Sequence, residues 1–116
     1  MSRGEIWTVS GAADYAGKPR PAVIVQDDSF AATASVTICA FTTDETEAPL
    51  FRLLIEPSQT NGLHSPCRLM VDKITTVSRA KLGRRVGRLG DEDMVRLSRA
   101  MVVFLGIGSG TRRSHP

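Results

Sequence analysis

Arg20 stands between Pro19 and Pro21 in the segment Gly17–Asp28, GKPRPAVIVQDD, and leads straight into the apolar residues Ala22–Val25. Each proline fixes its own φ at about −65° and pushes the residue before it towards extended backbone, so Arg20 is restrained from both sides. A guanidinium held this way points in one direction at low entropic cost, and its forked donors match the oxygens of a phosphate. Pairing with an acid such as Asp14 is the alternative these residues leave open.

The net charge of +3 hides an asymmetry. Residues 1–60 carry four Lys or Arg against eight Asp or Glu, whereas residues 61–116 carry eleven against four. Seven of the eleven (Arg68, Lys73, Arg79, Lys81, Arg84, Arg85, Arg88) crowd into one stretch with Asp72 as its only acid. Such a cluster suits a polyanion, and a solvated hairpin face is the competing reading. Cys39 in VTICAF and Cys67 in HSPCRLM have no neighbour at metal-ligand spacing, and His64 and His115 are equally solitary. Neither a metal nor another cofactor is expected, and the cysteines read as buried or bystander thiols.

The elements that must position these groups follow from the pattern of apolar residues. At 116 residues and 41% apolar content, the chain fits one domain around one core. No apolar run reaches the roughly 18 residues that span a bilayer, and MSRGEIWTVSG lacks the apolar stretch of a signal peptide, so a cytoplasmic protein with no membrane partner is expected. Glu5–Val9 alternates weakly and reads as a strand, followed by a Gly/Ala-rich loop over Ser10–Arg20. Pro21–Gln26 holds a continuous Ala-Val-Ile-Val, which marks a strand buried on both faces. Asp27, Asp28 and Ser29 offer a cap to a short turn over Phe30–Ala34, and the β-branched Ser35–Thr42 is a third strand.

After the acidic loop Asp44–Pro49, Leu50–Glu56 reads as a fourth strand, and Pro57–Pro66 is a surface loop of turn formers. Arg68–Val71 and Ile74–Ser78 are short strands separated by Asp72-Lys73, and Leu82–Leu89 is an edge strand. The helix is Asp91–Leu105, with Asp91 as its cap and Glu92 and Asp93 in the first turn, where the dipole favours acids. Met94, Leu97, Met101, Phe104 and Leu105 fall within about 100° of arc and form the core-packing face. Val102 and Val103 lie off that stripe and either meet a partner subunit or are scattered exposed valines. The domain is expected over residues 1–107, with a flexible basic tail over 108–116. Short strands followed by one helix argue a mainly β protein: a small, strongly bent antiparallel sheet or barrel with a helix packed on it.

The stretches RGEIWTV, GKPRPAVIVQDD, FTTD and PCRLMVDKITTV, with the C-terminal helix, resemble the MazF/PemK family of toxin–antitoxin endoribonucleases. The resemblance runs to about Ile107 and is most specific in RPAVIVQ. It implies the SH3-like small antiparallel β-barrel shared by MazF, CcdB and Kid, a homodimer, and cleavage of single-stranded RNA without a metal. It maps the family's catalytic arginine onto Arg20 and its catalytic threonine or serine onto Thr42, or onto Thr43 if the register slips by one. Many members carry an acidic or amide residue and paired glycines before the arginine. This chain has Asp14-Tyr15-Ala16-Gly17-Lys18 there, so the RNA sequence preference does not transfer.

Cleavage of that kind has the RNA 2′-OH attack its own phosphate, leaving a 2′,3′-cyclic phosphate and a 5′-OH. It needs a base, an acid and stabilisation of charge on phosphorus. Arg20 would supply the charge and Thr42 a hydrogen bond to a non-bridging oxygen, although threonine is also an ordinary strand residue. The proton acceptor stays open: there is no histidine pair, and an arginine is a poor base at neutral pH. Asp72 could be a base or an orienting acid, or could form a salt bridge with Lys73 or Arg79. Tyr15 and Phe30 could stack on bases, Phe30 being the better core candidate. Gln26 either orients the Arg20 loop or ends the strand.

Lys18, Arg20, Lys73 and Arg79 would form a basic lining that a dimer joins into one groove, with RNA affinity falling steeply with salt. A cognate antitoxin would lay an acidic, flexible C-terminal segment along the same groove. The rival reading is a CcdB-like gyrase-binding toxin without ribonuclease activity. Those proteins use a tryptophan near the tip of a terminal helix, whereas the single tryptophan here is Trp7 in the first strand, so the ribonuclease leads. A barrel that binds RNA or antitoxin but has lost catalysis is a third reading, disfavoured because Arg20 and Thr42 are both retained.

Overall fold

Alternation of β-branched and apolar residues drives most of the chain into antiparallel strands. The computed structural model describes residues 1–10 and 18–108, so Asp14, Tyr15 and the tail from residue 109 lie outside the described residues. The strands are β1 (Glu5–Val9), β2 (Arg20–Ile24), β3 (Ser35–Thr42), β4 (Arg52–Ile55), β5 (Cys67–Met70), β6 (Thr75–Ser78) and β7 (Leu82–Arg88), followed by the helix α1 (Asp91–Leu105). They form one sheet in the order β4-β5-β3-β2-β1-β7, with β6 paired to β3. The path ends at β4 and β7 and does not close, so the barrel-like fold is an open sheet here.

β3 organises this sheet. One of its edges pairs with β2, while the other serves β6 over Ser35–Ile38 and then β5 over Phe41–Thr42. Side chains alternate across the strand and so feed two cores. Val36 and Ile38 join Val9, Ala22 and Ile24 on one face, and Cys39 and Phe41 join Val23, Val25, Leu53, Ile55 and Leu69 on the other. The run Ala22–Val25 is therefore buried on both faces, as its lack of alternation requires. Trp7 packs against the smaller of the two cores.

The helix covers the larger core with Leu97 and Ala100, and Met94 and Met101 pack beside them. Arg3 fixes it to the sheet by donating to the Val25 carbonyl (3.0 Å) and the Ser98 hydroxyl (3.0 Å). Two expectations need correction. The cap is Gly90, whose extended backbone precedes the first turn, and Asp91 is the first helical residue, where its charge still favours the dipole and lies 3.5 Å from Arg88. The apolar stripe also outlasts the core. Phe104 tilts against Phe51 with ring centroids 6.2 Å apart, yet Phe104 and Leu105 are about half exposed, because the last turn runs past the sheet. Val102 and Val103 are exposed beside them. Among the described residues, no helix is long and apolar enough to cross a membrane.

Candidate active site

Arg20 opens β2 and pairs with Val9 of β1. On the other side the register runs from Ile24↔Ile38 to Ala22↔Ala40, so Arg20 and Thr42 each lie two residues beyond the last pair, at the same end of the two strands. Both side chains are half-buried and line a cleft of about 420 Å³. Thr42 Oγ1 accepts the Asp44 backbone N–H (3.1 Å), which fixes the hydroxyl oxygen and leaves its proton to donate elsewhere. Thr43 lines the same cleft from a more exposed position. Asp44 itself caps the turn: its carboxylate accepts the Thr46 hydroxyl (2.9 Å) and backbone N–H (3.1 Å), which hold it below the usual carboxylate range.

A second wall comes from β7 and β1. Their pairing slips twice, Trp7 facing Arg85 and Val9 facing Leu82, so β7 carries extra residues against β1. Thr8 Oγ1 accepts the Arg84 backbone N–H at 3.0 Å within this irregular stretch. A Cβ on Gly83 would fall 2.4 Å from that same oxygen, so a side chain here would displace the Thr8 hydroxyl from this bond. Arg84 and Val86 reach the cleft from here.

The third wall is the β4–β5 loop, which is anything but loose. Asn61 is 1% exposed, and its side-chain oxygen accepts the backbone N–H groups of Ser58 (2.9 Å) and Leu63 (3.0 Å). Its amide donates to the Glu56 carbonyl (2.9 Å), and the Ser58 hydroxyl accepts its backbone N–H (3.0 Å). The next residue, Gly62, has φ +69°, and a Cβ there would sit 2.4 Å from the Val86 carbonyl oxygen. The Arg88 N–H donates to Thr60 O (2.9 Å), fastening the loop to β7 and delivering Leu63, His64 and Ser65 to the cleft. Cys67 also faces it, and burial pushes its thiol up to about 11. Among the described residues, the lining holds two arginines and a histidine but no carboxylate.

The remaining candidates lie elsewhere. Asp72 binds Arg52 through both carboxylate oxygens (2.8 and 3.1 Å), and the guanidinium holds its pKa below the usual carboxylate range. Its ion-pair partner is thus Arg52 on β4 and not Lys73 or Arg79, and neither Asp72 nor the exposed Lys73 beside it lines the cleft. Arg79 donates to the carbonyls of Ala31 (2.6 Å) and Thr33, stapling the β6–β7 connection to the β2–β3 turn, away from Arg20. Lys18 is exposed next to Pro19 at the cleft rim. Gln26 accepts the Thr37 N–H (3.0 Å) and donates to the Phe30 carbonyl (3.0 Å), so it braces the end of β2. Phe30 is 58% exposed and is not a core residue, because it sits in a 3₁₀ turn over Asp28–Phe30 that lies outside both cores. Tyr15 lies outside the described residues.

Sequence reasoning missed His64, Ser65 and Thr8 as cleft residues and could not single out Arg84 within the basic cluster. The available signal was Asn61-Gly62, a turn dipeptide that points to a specific backbone conformation.

Residues 2–105 match the family described as PemK-like, MazF-like toxin of type II toxin–antitoxin systems. The chain is 56% identical over 107 residues to the probable endoribonuclease MazF of Mycolicibacterium smegmatis, covering 92% of this chain and 98% of that protein. It is 29% identical over 118 residues to endoribonuclease MazF9 of Mycobacterium tuberculosis, covering 94% and 99%. Among solved structures, a mycobacterial endoribonuclease in complex with its cognate antitoxin superposes with a TM-score of 0.74 at 20% identity, over 92% of this chain and 96% of that one. MazF in a MazE–MazF structure from Deinococcus radiodurans gives 0.74 at 15% identity, over 91% and 96%. At these identities the structures establish a shared fold.

Proposed function

Because the chain belongs to the PemK-like, MazF-like toxins of type II toxin–antitoxin systems, we propose that it is an endoribonuclease that cleaves single-stranded RNA in this cleft without a metal. The observation that carries the reading is that Arg20 and Thr42, at the same end of neighbouring strands, line one cleft whose described lining bears cationic side chains and no carboxylate. A phosphodiester seated between them would receive the forked guanidinium donors on one side and the Thr42 hydroxyl on the other. Attack by the neighbouring 2′-OH forms the 2′-O–P bond and breaks the P–O5′ bond, giving a 2′,3′-cyclic phosphate and a 5′-OH. The nucleophile belongs to the substrate, so the reaction has no need of a metal-bound water. Arg20 and Thr42 are the catalytic residues of this proposal. Arg84, Thr43 and Lys18 are its RNA contacts, the first two from the cleft wall and the last from the rim.

The protein would act in the cytoplasm as a homodimer. Val102, Val103 and Leu105 at the exposed end of α1 are apolar surface that a second copy would cover. A cognate antitoxin would place an acidic, flexible segment over the same cationic cleft and exclude RNA by occupying it. The CcdB-like alternative is not favoured. The named relatives are MazF proteins, and Trp7 is packed on β1 far from the tip of α1 in sequence.

The test is incubation with mixed-sequence single-stranded RNA in EDTA, followed by mapping of the fragment ends. The expected products carry 5′-OH and 2′,3′-cyclic phosphate ends, and an all-DNA counterpart stays intact because it lacks the nucleophile. Fragments with 5′-phosphate ends, or cleavage that EDTA abolishes, would refute the reading.

A further inference from the structure

We propose that His64 is the group that accepts the 2′-hydroxyl proton in this cleft, an assignment that rests on the ribonuclease reading above. The reaction needs a base, and the described lining offers few. A guanidinium is an acceptor for nothing near neutrality, which removes Arg20 and Arg84. Cys67 stays a thiol because burial pushes it up to about 11. The lining hydroxyls are weak bases, and Asp72 is engaged with Arg52 away from the cleft. Among the described lining residues, His64 alone carries an imidazole, whose ring nitrogen can accept a proton.

The loop that carries it is built for placement. A polar loop of turn formers needs no buried anchor to be a connection, yet this one holds Asn61 under the surface with three side-chain hydrogen bonds. Gly62 lies so close to the Val86 carbonyl that no side chain fits between them, and Thr60 is tied to Arg88. The backbone is thereby fixed directly before His64, while the imidazole itself is exposed to an entering substrate. A ring on a fixed loop that lines the same cleft as Arg20 and Thr42 is what proton transfer to it requires.

In the step, a ring nitrogen of His64 takes the proton of the 2′-OH as the 2′-oxygen bonds to phosphorus. The P–O5′ bond breaks, the departing 5′-oxygen takes a proton from water, and the imidazolium then returns its proton to solvent, so charge and protons balance.

The test uses wild-type, His64→Ala and His64→Asn proteins. Single-turnover cleavage of a mixed-sequence single-stranded RNA is measured together with binding of its all-DNA counterpart, which cannot react. Both variants should lose about 10²- to 10³-fold in cleavage rate while binding changes less than about twofold, and added imidazole should restore about tenfold to His64→Ala. Cleavage within about fivefold of wild type in either variant, a loss of binding that matches the loss of rate, or no restoration by imidazole would each overturn the assignment. Full activity in His64→Asn alone would mark a hydrogen-bonding role and overturn it as well. If His64→Ala fails none of these tests but Arg20→Ala still cuts, the clamp is wrong and the base is right. Wild-type protein that leaves RNA uncut overturns the ribonuclease reading and this proposal with it.

Discussion

Replacing Asn61 with alanine probes whether the β4–β5 loop is held in place by one buried amide. The substitution removes the acceptor for the Ser58 and Leu63 N–H groups and the donor to the Glu56 carbonyl, leaving three backbone groups without their partner. A buried unsatisfied group costs about 1–3 kcal/mol. Ser58 and Glu56 are exposed residues whose backbone water can reach, so the low end applies and the loss comes to about 3 kcal/mol. For a domain of this size that is a fall in Tm of roughly 12 °C by calorimetry. Because the loop carries Leu63, His64 and Ser65 into the cleft, RNA cleavage should fall about 100-fold although no cleft side chain has been touched. Ser58→Ala, which loses only the acceptor for the Asn61 N–H, should cost about 1 kcal/mol. A Tm within about 3 °C of wild type for Asn61→Ala would refute the argument, since the loop would then be held by something other than its amide.

Asp72→Asn removes the charge of a bidentate, half-buried pair and should cost about 2 kcal/mol near neutral pH, measured by urea unfolding. The folded pKa of Asp72 is depressed, so its stabilisation is present above the unfolded value of about 3.9 and is lost as pH falls through the folded one; the gap between wild type and variant should therefore close below about pH 4. Thr42→Ala should lower single-turnover cleavage by about 100-fold and Thr42→Ser much less, whereas Thr43→Ala should stay within a few-fold, because Thr42 ends β3 half-buried in the cleft while Thr43 is exposed. Arg84→Ala should weaken binding of single-stranded DNA and reduce the slope of log K against log salt by about 0.7, the share of one phosphate contact.

Local patterns made much of this fold legible. β1, β3 and α1 have the bounds that alternation and helical periodicity assign them, and the doubly buried Ala22–Val25 lies between two cores as a run without polar breaks must. Arg20 was legible because its restraint is local, imposed by the adjacent prolines. The basic cluster was not. Read along the chain it looks like one surface, but strand alternation and separate partners disperse it. Arg68 reaches Glu47, Arg79 the Ala31 and Thr33 carbonyls, Arg85 Glu5 and Arg88 Asp91, while Arg84 alone of these lines the cleft. His64 escaped for the same reason, since what brings its loop to the cleft is the docking of Asn61 and Gly62 on β7, a contact between residues about 25 apart that no periodicity encodes.

The placement of a phosphate between Arg20 and Thr42 is tested most directly by single-turnover cleavage of single-stranded RNA by wild-type, Arg20→Ala and Arg20→Lys proteins. Arg20→Ala should lose about 10³-fold or more, and Arg20→Lys should recover little of it, because an ammonium cannot reproduce two parallel donors. An Arg20→Ala protein that cuts RNA at the wild-type rate would contradict the account.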